Sequence, residues 1–251
     1  SPQGRAINEG VRRAPCDCVI IIDDDAELAD ETVVQRLLDT LASDPLIGMA
    51  GASIVVSPEA TAFQRRAARQ FPRLATPVVS EITDSDMACH GCCAIRRAVF
   101  DALGGEREDI IRGLDPDLRV RMRDAGYRVV LAPEARIYHP LPNGWRPLLR
   151  TFFRNGFGSA YAQKFRPDLV YETHEAVSSA TFNPRRSAAY RAIRFPFRLI
   201  GAALRFQELR LVAYSAYAIG YTWGFATARP IEPVAQEPPP PCGNTNSSKN
   251  A

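Results

Sequence analysis

The sequence predicts an α/β layered domain, a mixed sheet flanked by helices, followed by a helical segment and a polar tail. Three observations point there. Strand-like apolar runs alternate with helical periodicities across residues 1–140. An isoleucine-rich strand, Cys18–Ile22, runs directly into Asp23, Asp24 and Asp25. From about Leu141 the chain turns aromatic and basic with helical spacing. The expected divisions are therefore 1–140, 141–228 and a disordered Pro-rich tail over 229–251.

Composition sets limits. With 251 residues the chain can hold one domain and an appendage. A net charge of +3 argues neither for nor against nucleic acid. The basic side chains are almost all arginine, with lysine only at Lys164 and Lys249. Arginine suits bidentate phosphate contacts, although genome composition explains such a bias equally well. The opening SPQGRAINEG is polar, without a signal-peptide pattern. It also lacks an initiator methionine, so a processed or truncated piece is expected.

The elements follow in order. CVIII reads as a buried strand. Asp30 is the expected cap of a helix over 31–43, whose apolar set is Val34, Leu37, Leu38 and Leu41 and which Asp44-Pro45 stops. Ile47–Val56 is a strand, and residues 60–85 are irregular and arginine-bearing. CCAI is a short strand, and RRAVFDAL a helix closed by Gly104-Gly105. Asp115 is a candidate N-cap with Pro116 at the first helical position, and Gly126 ends that helix. YRVVLAP and ARIYHP read as two strands.

Residues 145–165 and 187–228 read as helical. Between Ile193 and Leu211, arginines alternate with an apolar face of Phe197, Leu199, Ile200, Leu204 and Phe206. Residues 211–228 are uncharged over 18 positions, diluted by Ala, Gly, Ser, Thr and Tyr. Three readings stay open: a helix packed on its own domain, an interfacial helix, and a membrane span at the low edge of length.

The three aspartates need an explanation, because adjacent carboxylates near a core are unstable without compensation. A solvated turn is one account. A ligand site is the other, since strand C-termini in α/β sheets are where ligands bind. On an extended chain Asp23 and Asp25 point the same way, which suits a hard cation such as Mg²⁺ or Mn²⁺. The six cysteines lack the separated ligand pairs of a structural zinc site and read as small thiols of a reduced protein. Gly91, Asp115, Asp117 and His139 also fall at predicted element ends. Singly, each has a plain role: a turn, a cap, a solvated first-turn acid and a structural histidine.

Their order is more informative. GRAINEGVRRAPCDCVIIIDDDAEL, HGCCAIRRAVFDALGG and LDPDLRVRMRDAGYRVVLAPEARIYHP together resemble the family 2 glycosyltransferases of the GT-A fold, over roughly residues 4–140. Ala6, Asn8 and Gly10 match the family's lead-in, and Asp23 and Asp25 its D-x-D. Gly91 to Arg97 match its glycine loop. Asp115, Asp117, Leu118, Arg121 and Gly126 match its later acidic motif, and His139 its closing histidine. The Glu of the family's E-D pair is Leu114 here, and the family's first strands have no counterpart.

The resemblance implies an inverting, metal-dependent transfer of sugar from a nucleotide-diphosphate donor to an acceptor hydroxyl. Asp115 would be the base, Asp25 and His139 the ligands of Mg²⁺ or Mn²⁺, and Asn8, Asp23, Asp24, Gly91 and Asp117 the donor-binding set. The implied partners are a nucleotide-sugar and a carbohydrate or lipid-linked acceptor in cell-envelope synthesis, with no nucleic acid; the arginine-bearing C-terminal helices add peripheral membrane contact as an expectation. The implied location is cytoplasmic, at the inner face of the plasma membrane. The alternatives are a nucleotidyltransferase and a truncated or degenerate binding module without turnover.

Overall fold

Pairing between distant apolar runs builds one mixed sheet. In the computed structural model, which describes residues 2–171 and 187–231, the strands are β1 (Cys18–Ile22), β2 (Glu27–Leu28), β3 (Ile47–Val55), β4 (Thr83–Asp84), β5 (Cys92–Arg96) and β6 (Arg128–Tyr138). Their order is β1-β5-β3-β6-β2, with β4 also pairing with β6. Among the described strands only β3 and β6 run parallel; the other pairs are antiparallel. The α/β class expected from the alternation is the class observed.

The period-two alternation of side chains gives the sheet two apolar faces. On one face Met49, Ile95, Val129 and Leu131 pack with Phe100, Leu118 and Met122. These last three come from α4 (Arg97–Ala102) and α5 (Leu114–Asp124). The opposite face carries Ile47, Ala50, Ala94, Val130 and Ile137. It is covered by Val33, Leu37 and Leu41 of α2 (Val33–Ser43).

Several expectations are corrected. CVIII is an end strand of the described sheet, paired only with β5, so Val19 alone is buried and Ile22 is 41% exposed. Thr32, not Asp30, precedes α2; Asp30 accepts from the Thr32 backbone N–H at 3.0 Å and meets Arg36 and Arg136. Residues 60–85 are not wholly irregular: α3 (Ala62–Gln70) opens with a capping box between Thr61 and Gln64. A further helix, α1 (Pro2–Arg13), occupies the polar opening and buries Val11. YRVVLAP and ARIYHP are one strand. Its register with β3 jumps from Gly51↔Leu131 to Ser53↔Arg136, and Glu134 in the bulge takes φ 55°.

The C-terminal segment folds as α6 (Trp145–Phe165), α7 (Ala188–Leu204) and α8 (Glu208–Thr227). α6 and α8 approach through glycine. A Cβ on Gly156 would lie 2.0 Å from the Tyr217 carbonyl oxygen, and one on Gly220 would lie 2.1 Å from that of Phe153. Leu148, Leu209 and Ala213 pack with Ala67 and Phe71, joining this layer to α3. Glu208 pairs with Arg66 at 2.5 Å, and the Tyr161 hydroxyl donates to the Asp109 carbonyl at 3.1 Å. No described helix is long and apolar enough to cross a membrane. The tail expected over 229–251 lies outside the described residues from 232 onward.

Candidate functional site

The short β2 explains how two distant motifs meet. Glu27 pairs with Tyr138 and Leu28 with Ile137. The residues just before β2 therefore lie beside the residue just after β6. His139 Nε2 is 3.3 Å from Asp25 Oδ1 and 3.4 Å from Asp23 Oδ2. One ligand atom from each of the three lies within 4.8 Å of the others. Asp23 and Asp25 share a side because Asp23–Ala26 is a turn, with the Ala26 N–H donating to the Asp23 carbonyl at 3.0 Å, and not because the chain is extended. Asp24 is exposed and outside this group. Hydrogen bonding to Asp23 raises the His139 pKa against the opposing effect of burial, and the charge of Asp25 adds to the rise. A proton is thus held where a cation could sit.

Gly91 ties this group to a second one. Its carbonyl accepts from the Asp23 N–H at 3.3 Å. A Cβ there would lie 3.4 Å from Cys89 Sγ and 3.7 Å from His139 Cδ2, so the site is close-packed around it. The preceding residue, His90, donates its backbone N–H to Asp115 Oδ1 at 2.6 Å. Its ring is 2% exposed, with Nδ1 3.3 Å from Asp115 and Nε2 2.9 Å from buried Glu106. None of these ring contacts is aligned as a hydrogen bond, so both ring nitrogens and both Glu106 oxygens are held by charge. Burial opposes the proton on His90, but Asp115 and Glu106 outweigh it and lift the pKa to about 9. Burial would likewise raise the Asp115 carboxyl. His90 and Arg119 overcome this and hold it below the usual carboxylate range. Asp115, 34% exposed, is therefore an ionised carboxylate open to a ligand.

Three expectations change here. Asp115 is not the cap of α5: Gly113, at φ 95°, takes that position, and the Asp115 side chain turns to His90. Asp117 is no solvated acid; it is fully buried between Arg107 at 3.0 Å and Arg121 at 2.8 Å. Asn8 is also spent within the fold. Its amide donates to the Glu106 carbonyl and to Glu108, and its oxygen accepts from the Glu106 N–H at 2.7 Å. Asn8 fixes the loop that carries the partner of His90. Sequence reasoning missed His90 and Glu106; the adjacency of His90 to Gly91 was the one available signal.

The five described cysteines form no disulfide. The single described lysine, Lys164, donates to the carbonyls of Phe225 and Ala228 at the end of α8, which leaves a nucleotidyltransferase reading without a phosphate-gripping lysine among the described residues.

Residues 2–104 match the family model Glycosyl transferase family 2. Asp23, Asp25 and Gly91 fall within the match, while Asp115 and His139 follow it. A mannosyltransferase from Pyrobaculum calidifontis, solved in complex with GDP-Man and Mn²⁺, superimposes with a TM-score of 0.52 at 18% identity. The superposition covers 88% of this chain and 66% of that one, so this chain shares its GT-A-like fold and spans less than two thirds of its length. No curated protein matches the sequence.

Proposed function

We propose that the protein transfers a sugar from a nucleotide-diphosphate donor to an acceptor hydroxyl with inversion. The observation that carries this reading is the meeting of Asp23, Asp25 and His139 beside the loop that holds ionised Asp115. Two carboxylates and an imidazole with mutually close donor atoms fit a divalent cation such as Mg²⁺ or Mn²⁺. Asp25 and His139 would hold it, with Asp23 as a further oxygen ligand or ribose contact. When bound, the cation supplies positive charge for the departing diphosphate.

The chain's own residues supply the rest. Asp115 accepts the proton of the acceptor hydroxyl as that oxygen forms its bond to the anomeric carbon. The bond from that carbon to the diphosphate breaks on the opposite side, and the electron pair leaves with the diphosphate. A single displacement of this kind inverts the anomeric centre. The His90 N–H fixes the orientation of Asp115, and histidinium His90 keeps it ionised. Asp24 and the Gly91 backbone border the space for the donor; Asn8 and Asp117 support the fold around it.

Membrane contact and a role in envelope synthesis at an inner membrane face belong to the same reading. They are supported by α7, whose Ile193, Phe197, Ile200 and Leu204 are all more than half exposed along one side. The test is release of nucleoside diphosphate from a panel of nucleotide-sugars with acceptor present. Metal-dependent release that disappears in Asp115→Asn supports the proposal. Absence of release and of nucleotide binding across the panel would leave a non-catalytic module.

A further inference from the structure

Beside the N-terminal end of α5, the helices α6, α7 and α8 enclose a cavity of about 1220 Å³. Seven of its described lining residues are arginines, and none is aspartate or glutamate. They come from separate parts of the fold: Arg112 precedes α5, Arg191, Arg194 and Arg198 stand on α7, and Arg210 on α8. At about 100° per residue, the α7 arginines form a stripe roughly a third of a turn from its exposed apolar stripe. Arg73 among them is paired with buried Asp86 at 3.2 Å, and the charge of Asp115 acts on Arg112; positive charge still outnumbers negative around this space, and an anion there would lower its electrostatic cost. The planar guanidinium matches the oxygens of a phosphate in particular.

The cavity is also built to receive. Gly158 of α6 lines it, and a Cβ there would lie 2.8 Å from the Arg112 side chain, so this glycine seats that arginine. Phe195, Tyr217 and Tyr221, stacked along α7 and α8, give the lining an aromatic wall as well. Asn155 Oδ1 and Arg191 Nε lie buried on the lining without hydrogen-bond partners among the described residues. They offer one acceptor and one donor to a polar ligand. Gly113 and Pro116, close on either side of Asp115, line one end, and the charge of Asp115 acts directly on Arg112. Phe197, 68% exposed, lines the cavity too and belongs to the apolar face of α7.

We infer that this cavity is the acceptor site and that the acceptor carries a phosphate or diphosphate. The arginines hold the phosphate, the aromatic wall holds the attached apolar or sugar portion, and the accepting hydroxyl reaches Asp115. The last clause rests on Asp115 as the base; the anion site itself does not.

The experiment measures binding to the full chain in EDTA, so that the aspartate–histidine group contributes no metal-held phosphate. The probes are farnesyl diphosphate, inorganic pyrophosphate and farnesol. Farnesyl diphosphate is expected to bind, and Arg112→Gln/Arg198→Gln should weaken it at least about tenfold, the scale of a lost charge-assisted contact. Nucleoside diphosphate binding with Mn²⁺ should persist in the same variant, which shows that it folds and keeps the donor site apart from the result. Tighter binding of farnesyl diphosphate than of pyrophosphate identifies a lipid-linked acceptor; equal binding identifies a water-soluble phosphate ester. Binding of farnesol as tight as that of farnesyl diphosphate, no binding of either phosphate, or binding indifferent to the two arginines overturns the inference.

Discussion

His90 sits among charges of both signs: Glu106 and Asp115 face its ring, and Arg119 opposes its proton. Its pKa rises from 6.5 to about 9 in the fold. A raised pKa stabilises the fold fully below the unfolded value and loses that contribution as pH climbs through the folded one. The melting temperature should therefore fall between pH 6.5 and about 9, and His90→Gln should flatten that decline. A melt series in which both proteins follow the same curve would remove histidinium from the site. Asp115→Asn should keep the fold, because asparagine still accepts from the His90 N–H, yet reduce turnover by at least ~10². Asp117→Ala should act oppositely in kind. Stranding Arg107 and Arg121 beside a buried gap should cost on the order of 3 kcal/mol in denaturant unfolding. Asp115 and Asp117 are two residues apart in one acidic motif, and nothing in the spacing says that one faces a histidine and the other two arginines. Residue identity was legible there; the direction of the side chain was not, because it depends on the 106–108 loop that Asn8 pins.

Elements were legible where local chemistry alone decides them. The spacing of Val34, Leu37, Leu38 and Leu41 reports α2, and Gly104-Gly105 with φ of 77° and 70° ends α4 as the sequence suggests. The capping box of α3 was equally readable from Thr61 and Gln64, but the arginines around it leave a weak apolar signal. The joining of two expected strands into β6 was not readable, because the bulge at Glu134 is imposed by the partner strand β3. Contact between α6 and α8 is likewise set by tertiary approach, through glycines that look like helix defects in isolation. Gly220→Ala should lower stability by about 2 kcal/mol, since its Cβ meets a backbone carbonyl that cannot yield. Gly10→Ala, also in a helix but with nothing within 4 Å, should raise stability by about 0.5–1 kcal/mol. Thermal unfolding of the pair checks both signs at once.

At the scale of the whole molecule, the α/β domain and a helical layer are joined by Arg66–Glu208, Tyr161–Asp109 and the apolar contacts of α3 with α8. The α7 stripe of Ile193, Phe197, Ile200 and Leu204 is left facing outward, with arginines flanking it. Each basic residue near an anionic surface contributes about 1 kcal/mol, and salt screens it. The protein should sediment with anionic liposomes at low salt and be released at high salt, and Ile193→Asp/Phe197→Asp should stay in solution. The sequence showed this amphipathic pattern but not which side would pack, since that depends on α8 and the cavity between them. Asp23, Asp25 and His139 meet in space, and the proposed function requires them to form a cation-dependent donor site. Titration calorimetry of a nucleoside diphosphate, with and without Mn²⁺, tests this on the parent chain, Asp25→Ala and His139→Ala. Binding that requires Mn²⁺ in the parent and vanishes in both variants is the predicted result; metal-dependent binding of unchanged strength in both variants would contradict it.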